Sequence, residues 1–152
     1  MSTGKTKTAL ALELGRAIIE MRSRTRQYIQ TKIKENKLDI TYEMLDVLIC
    51  LWQKDGVNQQ EIARHTVKEK ASMTYLLDNL TKRGLVTRTE DETDRRNKLI
   101  YLTAAGKHLE EELQPWANEL YTAAAEGLTA DAITSATSVI KKMTKNITKN
   151  TL

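Results

Sequence analysis

Residues 58–103 read NQQEIARHTVKEKASMTYLLDNLTKRGLVTRTEDETDRRNKLIYLT, and the order of side-chain types along them decides the fold. Asn58 precedes a short helical pattern with Glu61 three residues on, so the Asn side chain can accept from a free backbone N–H while the Glu reaches back. Ile62 and Ala63 turn inward from that helix. A second helix, predicted over about residues 69–83, sets Met73, Leu76, Leu77 and Leu80 at i, i+3, i+4 and i+7, which makes one apolar stripe. Its other face carries Lys70, Ala71, Thr74, Tyr75 and Asp78, small and hydrogen-bonding groups that a packed core does not select. Something outside the fold must touch that face. Gly84 ends the helix as a residue free to take positive φ, after Lys82 and Arg83, cations suited to a helix C-terminus.

Beyond it, residues 85–89 and 98–103 are rich in Val, Thr, Tyr, Leu and Ile and bracket an eight-residue polar loop, 90–97, as two strands of a hairpin would. Helix, turn, helix and charged hairpin in this order make a winged helix-turn-helix. Glu61-Ile62-Ala63, the run SMTYLLDNL at 72–80, Arg83-Gly84-Leu85-Val86, and Asp94-Arg95-Arg96 followed, after five intervening residues, by Leu102-Thr103 together resemble the MarR family of bacterial transcription regulators. The spacing from Asp-x-Arg to Leu-Thr is the most specific part, and the resemblance extends over most of the chain. It departs where Tyr75 stands in place of a basic residue and where Thr66-Val67-Lys68 replaces a glycine-containing turn.

The flanks read as helices. Over residues 8–35, Leu10, Leu14, Ala17, Met21 and Tyr28 keep a helical spacing with Ile18, Ile29 and Ile33 beside them; the band Arg22, Arg24, Arg26 reads as a solvated face. After a connector at 36–39, Thr41 caps a helix stapled by Ile40 and Leu45, and its run VLICLW at 47–52 is apolar nearly all round, so this helix is the expected hub of the core. Gly56 ends it, and Val57 offers a minimal strand to the wing sheet. Thr103 caps a long helix through Leu109, Leu113, Trp116, Leu120 and Ala123, with a kink expected at Pro115 and a stop at Gly127. A last helix, about 130–147, repeats the stepping with Ile133, Ala136, Ile140, Met143 and Ile147. The expected organisation is mainly α with a small β-hairpin wing: residues 1–40 an N-terminal dimerisation helix, 41–105 the winged helix-turn-helix, 106–152 C-terminal dimerisation helices.

Composition narrows the function. The 152 residues carry 24 Lys and Arg against 20 Asp and Glu, a net charge of +4 that permits nucleic-acid binding. Residues 1–40 hold nine basic and four acidic groups, 41–105 ten of each, and 106–152 five and six. The reading segment is therefore neutral overall, and local sign matters: Lys68, Lys70, Arg95, Arg96 and Lys98 fall on the second helix and wing, Glu90, Asp91 and Glu92 toward the wing's base. No run approaches the roughly 20 apolar residues of a membrane span, and the polar N-terminus lacks an apolar signal core, so no membrane contact and a cytoplasmic location are expected. Cys50 is the one cysteine, which excludes an internal disulfide, and its apolar neighbours make core packing the reading over redox sensing. His65 and His108 are isolated, so no metal is expected. Without a Gly-rich phosphate loop, a nucleophile elbow or a Cys–His set, an enzyme is not expected, nor a cofactor.

Lys70, Ala71, Ser72, Thr74, Tyr75 and Asn79 are the candidates for base contact, with Lys70 at guanine and Ala71 against a thymine methyl. Arg95, Arg96 and Lys98 are the wing's candidates; Arg96 is assigned to the minor groove and Arg95 to a phosphate, two roles open to exchange. The resemblance implies that Asp94 holds the wing tip through an ion pair. It also implies a homodimer on double-stranded, pseudo-palindromic DNA, most often a repressor, clasped through Leu10, Leu14, Ala17, Leu120, Ile133, Ile140, Met143 and Ile147. The apolar seams of the end helices point the same way, the alternative being that they fold back on their own core. Family members commonly bind small, often aromatic anionic effectors, for which Arg26, Tyr28, Tyr42, Trp52 and Trp116 are the candidates. The competing function is a winged-helix module that docks a protein, against which the arginines at the wing tip stand.

Overall fold

The computed structural model describes residues 4–66 and 70–151, without the side chains of Lys70, Ala71 and Thr151. They form two compact units, one ending at Trp116 and one beginning at Ala117.

In the first unit, Thr6 Oγ1 accepts from the Ala9 N–H at 3.1 Å and opens α1 (Lys7–Glu35). Its C-terminal turn closes when the Leu38 N–H reaches the Ile33 carbonyl, with Lys37 in the left-handed region at φ +52°. Thr41 caps α2 (Tyr42–Gln53) by accepting from the Met44 N–H at 3.2 Å. Met44, Leu45, Val47, Leu48 and Leu51 of α2 are buried and meet Ile33, Ile62, Met73, Leu77, Leu80, Ile100, Leu109 and Leu113 in one core. The helix is thus the hub, although not on every side: Ile49 is 40% exposed. Arg22 with Asp46 and Arg26 with Glu43 form ion pairs from α1 to α2, exposed contacts that contribute at most about 1 kcal/mol each.

The sheet follows from the alternation in three short runs. β1 (Val57–Asn58), β2 (Val86–Glu90) and β3 (Lys98–Leu102) lie in the order β1-β3-β2, antiparallel throughout, with Val57 opposite Ile100 and the hairpin running from Val86 opposite Leu102 to Glu90 opposite Lys98. The hairpin is one residue shorter at its open end than the sequence predicts, and the loop is 91–97. Leu85 is withheld from β2 because its N–H closes the preceding helix on the Leu80 carbonyl, while Thr103 serves as a cap: its hydroxyl accepts from the Gly106 N–H at 3.1 Å and opens α5 (Ala104–Ala124). Glu90 joins the strand because it finds a cross-strand partner in Lys98. α5 runs through Pro115.

The second unit holds the end of α5 and α6 (Ala130–Thr151). Gly127 turns the chain at φ +77°, and Thr129 Oγ1 accepts from the Ala132 N–H at 3.1 Å to start α6. α6 outlasts its apolar stepping by a turn. The hydroxyls of Thr137, Thr144 and Thr148 donate to carbonyls four residues back at 2.9 to 3.0 Å, which satisfies them inside the helix.

Candidate nucleic-acid interface

α3 (Gln59–Thr66) and α4 (Lys70–Lys82) are the two helices expected of a helix-turn-helix; residues 67–69 between them, Lys68 among them, lie outside the described residues. Asn58 Oδ1 accepts from the Glu61 N–H at 2.8 Å, the expected cap. The Glu61 carboxylate faces Lys54 at 3.4 Å instead of reaching back. Met73, Leu76, Leu77 and Leu80 are all buried, and this fixes the rotation of α4: Ser72, Thr74, Tyr75 and Asp78 stand on its open face, Tyr75 at 67% exposure. The side chains of Lys70 and Ala71 lie outside the described residues. Asn79 is half-buried and occupied internally, its amide donating to the Tyr75 carbonyl at 2.9 Å and accepting from Arg83 at 3.1 Å. Arg83 in turn holds the Asp39 carbonyl oxygen at 2.6 Å and its carboxylate at 3.2 Å, tying the end of α4 to the connector before α2.

The wing tip is held by two aspartates. Asp91 accepts from the Thr93 backbone N–H (3.0 Å) and hydroxyl (2.7 Å), and its other oxygen from the Asn97 amide (3.3 Å). These bonds, the Thr93 hydroxyl first, hold the Asp91 carboxyl below its ordinary value of 3.8. Asp94 Oδ1 accepts from the Arg96 N–H at 3.0 Å, and its carbonyl accepts from the Asn97 N–H at 2.9 Å. The expected ion pair of Asp94 is not formed among the described residues; the carboxylate closes an Asx turn on the backbone. A two-residue reach to an N–H is shorter than any reach to a cation on the strands. Arg95, Arg96 and Lys98 are exposed around this turn.

Two contributors escaped the sequence reading. Asp91 reads as one acid of a charge run, and its spacing to Thr93 is the signal that marks a turn. Arg88 carries no motif that singles it out in the sequence, yet it is half-buried on β2 and donates to Asp78 Oδ1 at 2.6 Å. On the same side, the Gln59 amide donates to the Thr74 hydroxyl at 2.8 Å, linking α3 to α4. Between the helices and the wing lies a recess of about 380 Å3 lined by Gln59, Gln60, Ala63, Thr74, Arg96, Asn97 and Lys98. Amides, a hydroxyl and two cations converge there, the groups that hold phosphate oxygens.

The expected effector residues divide among separate contacts. Arg26 stands 5.0 Å over the Tyr42 ring, Lys32 5.4 Å over that of Tyr28, the Trp52 indole donates to the Gly106 carbonyl at 2.9 Å, and Trp116 packs against the core. The cleft beside Trp52, about 730 Å3, is walled by Asp55, Glu110 and Glu111 with one lysine, Lys107, a poor setting for an anion. Of the expected dimer residues, Leu10, Ala17, Ile133 and Ile147 are exposed, and Leu14, Leu120, Ile140 and Met143 half-buried. Cys50 is half-buried on the wall of a crevice of about 160 Å3 and not within the core cluster; burial first, then the Glu61 and Asp46 carboxylates, pushes its thiol above the usual 9.0.

Two helices joined by a short connection, the second backed by a buried apolar stripe, and a following hairpin with exposed arginines at its tip define a winged helix-turn-helix protein. Residues 40–98 match the model of the MarR family. It is 32% identical over 90 residues to the organic hydroperoxide resistance transcriptional regulator of Bacillus subtilis (strain 168), 59% of each chain, and 31% identical over 85 residues to the HTH-type transcriptional regulator SarZ of Staphylococcus saprophyticus, 56% of this chain and 58% of that protein. The chain spans less than two thirds of the length of these curated relatives. The crystal structure of Staphylococcus aureus MepR in a DNA-binding conformation is similar with a TM-score of 0.77 at 25% identity, covering 88% of this chain and 97% of that one. Both curated relatives are named as regulators and neither as an enzyme. No helix among the described residues is long and apolar enough to cross a membrane.

Proposed function

We propose that this chain is a sequence-specific DNA-binding transcription regulator, a repressor that binds a pseudo-palindromic operator as a homodimer. The observation that carries the reading is the shared face: Ser72, Thr74 and Tyr75 of α4, backed by a fully buried stripe, open on the same side as the recess that Arg96 and Lys98 line. Such a face gives base contacts from α4 in a major groove and phosphate or minor-groove contacts from the wing. Lys70 and Ala71 join α4's base contacts in this reading. The exposed apolar residues of α1 and α6, Leu10, Ile133 and Ile147 among them, supply the seam for a second copy. In a two-fold dimer the two recognition helices stand about 34 to 36 Å apart, one duplex turn.

Release by a small aromatic or anionic effector is the regulation that the family resemblance adds. The test is selection of bound sequences from a pool of random duplexes, repeated with phenolic acids present. Enrichment of a two-fold symmetric motif supports the reading, and its loss in the presence of one compound supports effector release. A chain that enriches nothing, yet stays folded, would point to protein docking.

A further inference from the structure

Arg88 sits where strand alternation puts it, two residues after the buried Val86 and so on the inner face of β2, the face toward α4. Its side chain is 27% exposed. The Nη2 group donates to Asp78 Oδ1 at 2.6 Å and reaches the Thr74 carbonyl at 3.5 Å, two positions one turn apart on α4. Nε is buried and has no hydrogen-bond partner among the described residues. A lost donor bond of this kind is tolerated where the rest of the guanidinium is fixed by stronger, charge-assisted contacts. Thr74 also accepts from Gln59, so β2, α4 and α3 are joined through one line of polar contacts at Thr74 and Asp78.

Resting on the DNA-binding reading above, we propose that Arg88 is a positioning residue: it sets the angle between wing and recognition helix at which α4 reads bases while Arg96 enters the neighbouring minor groove. The wing is otherwise a two-stranded ribbon extending beyond the short β1, and such ribbons twist easily. Arg88 Nη2 bridges the Asp78 carboxylate and the Thr74 carbonyl, so one side chain braces the root of the ribbon against a full turn of α4, a span that the shorter lysine stem holds less firmly. Arg88 acts through its contacts with Thr74 and Asp78 on α4, and in this reading it makes no phosphate contact of its own. Its removal should therefore uncouple the two DNA contacts instead of subtracting one.

The test measures affinity of the full chain for a duplex it has selected, as a function of salt, for Arg88→Ala, Arg88→Lys, Asp78→Asn, each of these combined with Arg96→Ala, and Arg88→Ala combined with Asp78→Asn. Arg88→Ala should weaken binding about tenfold, about 1.4 kcal/mol, with the salt slope changed by less than about half a unit, where a lost phosphate contact would change it by about one. The preference for A·T-rich flanks should fall with it, and Arg96→Ala should cost less in this background than in the parent. Arg88→Lys should lie between, and Asp78→Asn should imitate Arg88→Ala. Additive losses with Arg96→Ala, a slope reduced by a full unit, or restoration of Arg88→Ala by Asp78→Asn would overturn the proposal, the last by showing that Arg88 merely neutralises Asp78. Should Arg88→Ala fail to fold by circular dichroism, Asp78→Asn, equal in size, carries the test. A parent chain that selects no duplex would refute the DNA-binding reading and is a different result from any of these.

Discussion

Gly106→Ala reverses the usual sign of a helix substitution, and the structure says why. Gly106 lies in the first turn of α5, where alanine ordinarily stabilises by about 1 kcal/mol over glycine. Here an added Cβ would stand 2.2 Å from the Leu85 carbonyl oxygen and 3.1 Å from a Leu102 methyl. The obstacle is backbone: the Leu85 carbonyl already accepts from the Thr103 N–H at 3.1 Å, and Gly106 itself bonds Thr103 and Trp52. Relief requires α5 to retreat by nearly an ångström, straining three hydrogen bonds that join α2, the hairpin and α5. Overpacking of this kind costs about 1 to 3 kcal/mol, and strained bonds add about 1 more, so after the propensity gain a net loss of about 2 kcal/mol is expected. With an unfolding entropy of about 2.1 cal/mol/K per residue, that lowers Tm by about 6 °C. Urea denaturation should show a lower midpoint at unchanged slope. An alanine variant as stable as the parent, or more so, would refute the packing described for this junction.

Asp91 has a folded pKa below its ordinary 3.8, so its contribution to the wing turn is full above that value and is lost as pH falls through the lower one; its carboxyl resonance should titrate below 3.8, and a midpoint at or above that value would remove Asp91 as the tip's anchor. Arg95→Ala should weaken all duplexes alike and reduce the salt slope by about one unit, whereas Arg96→Ala should weaken most those with A·T-rich flanks, whose narrow minor groove attracts an arginine; identical profiles for the two would end the division of roles. Ile140→Glu places a charge in the proposed seam at a cost of several kcal/mol, and sedimentation should then show monomer without DNA binding; a DNA-competent dimer would place the seam elsewhere.

The parts legible in the sequence were those set by local rules. The stripe Met73, Leu76, Leu77, Leu80 turned α4 as expected, and Asn58, Thr41 and Thr103 cap the helices that their positions announce. Val57 adds its strand to the wing sheet. What was missed depends on which partner lies nearest in space. Arg88 finds Asp78 only after β2 folds against α4, and Asp94 prefers a backbone N–H two residues away to a distant cation. The apolar run 47–52 overstated burial because periodicity alone does not say where a helix meets solvent, and Ile49 does. Cys50 went from core to crevice wall for the same reason.

Footprinting of the chain on its selected duplex, with dimethyl sulfate at major-groove guanine N7 and hydroxyl radicals along the minor-groove edge of the backbone, tests the central claim most directly, because together they read where α4 and the wing lie. The account predicts a two-fold symmetric pattern: two protected major-groove segments centred about 10 to 10.5 base pairs apart, each flanked by minor-groove protection that disappears in Arg96→Ala. A single asymmetric patch, or protection that Arg96→Ala leaves intact, would contradict it.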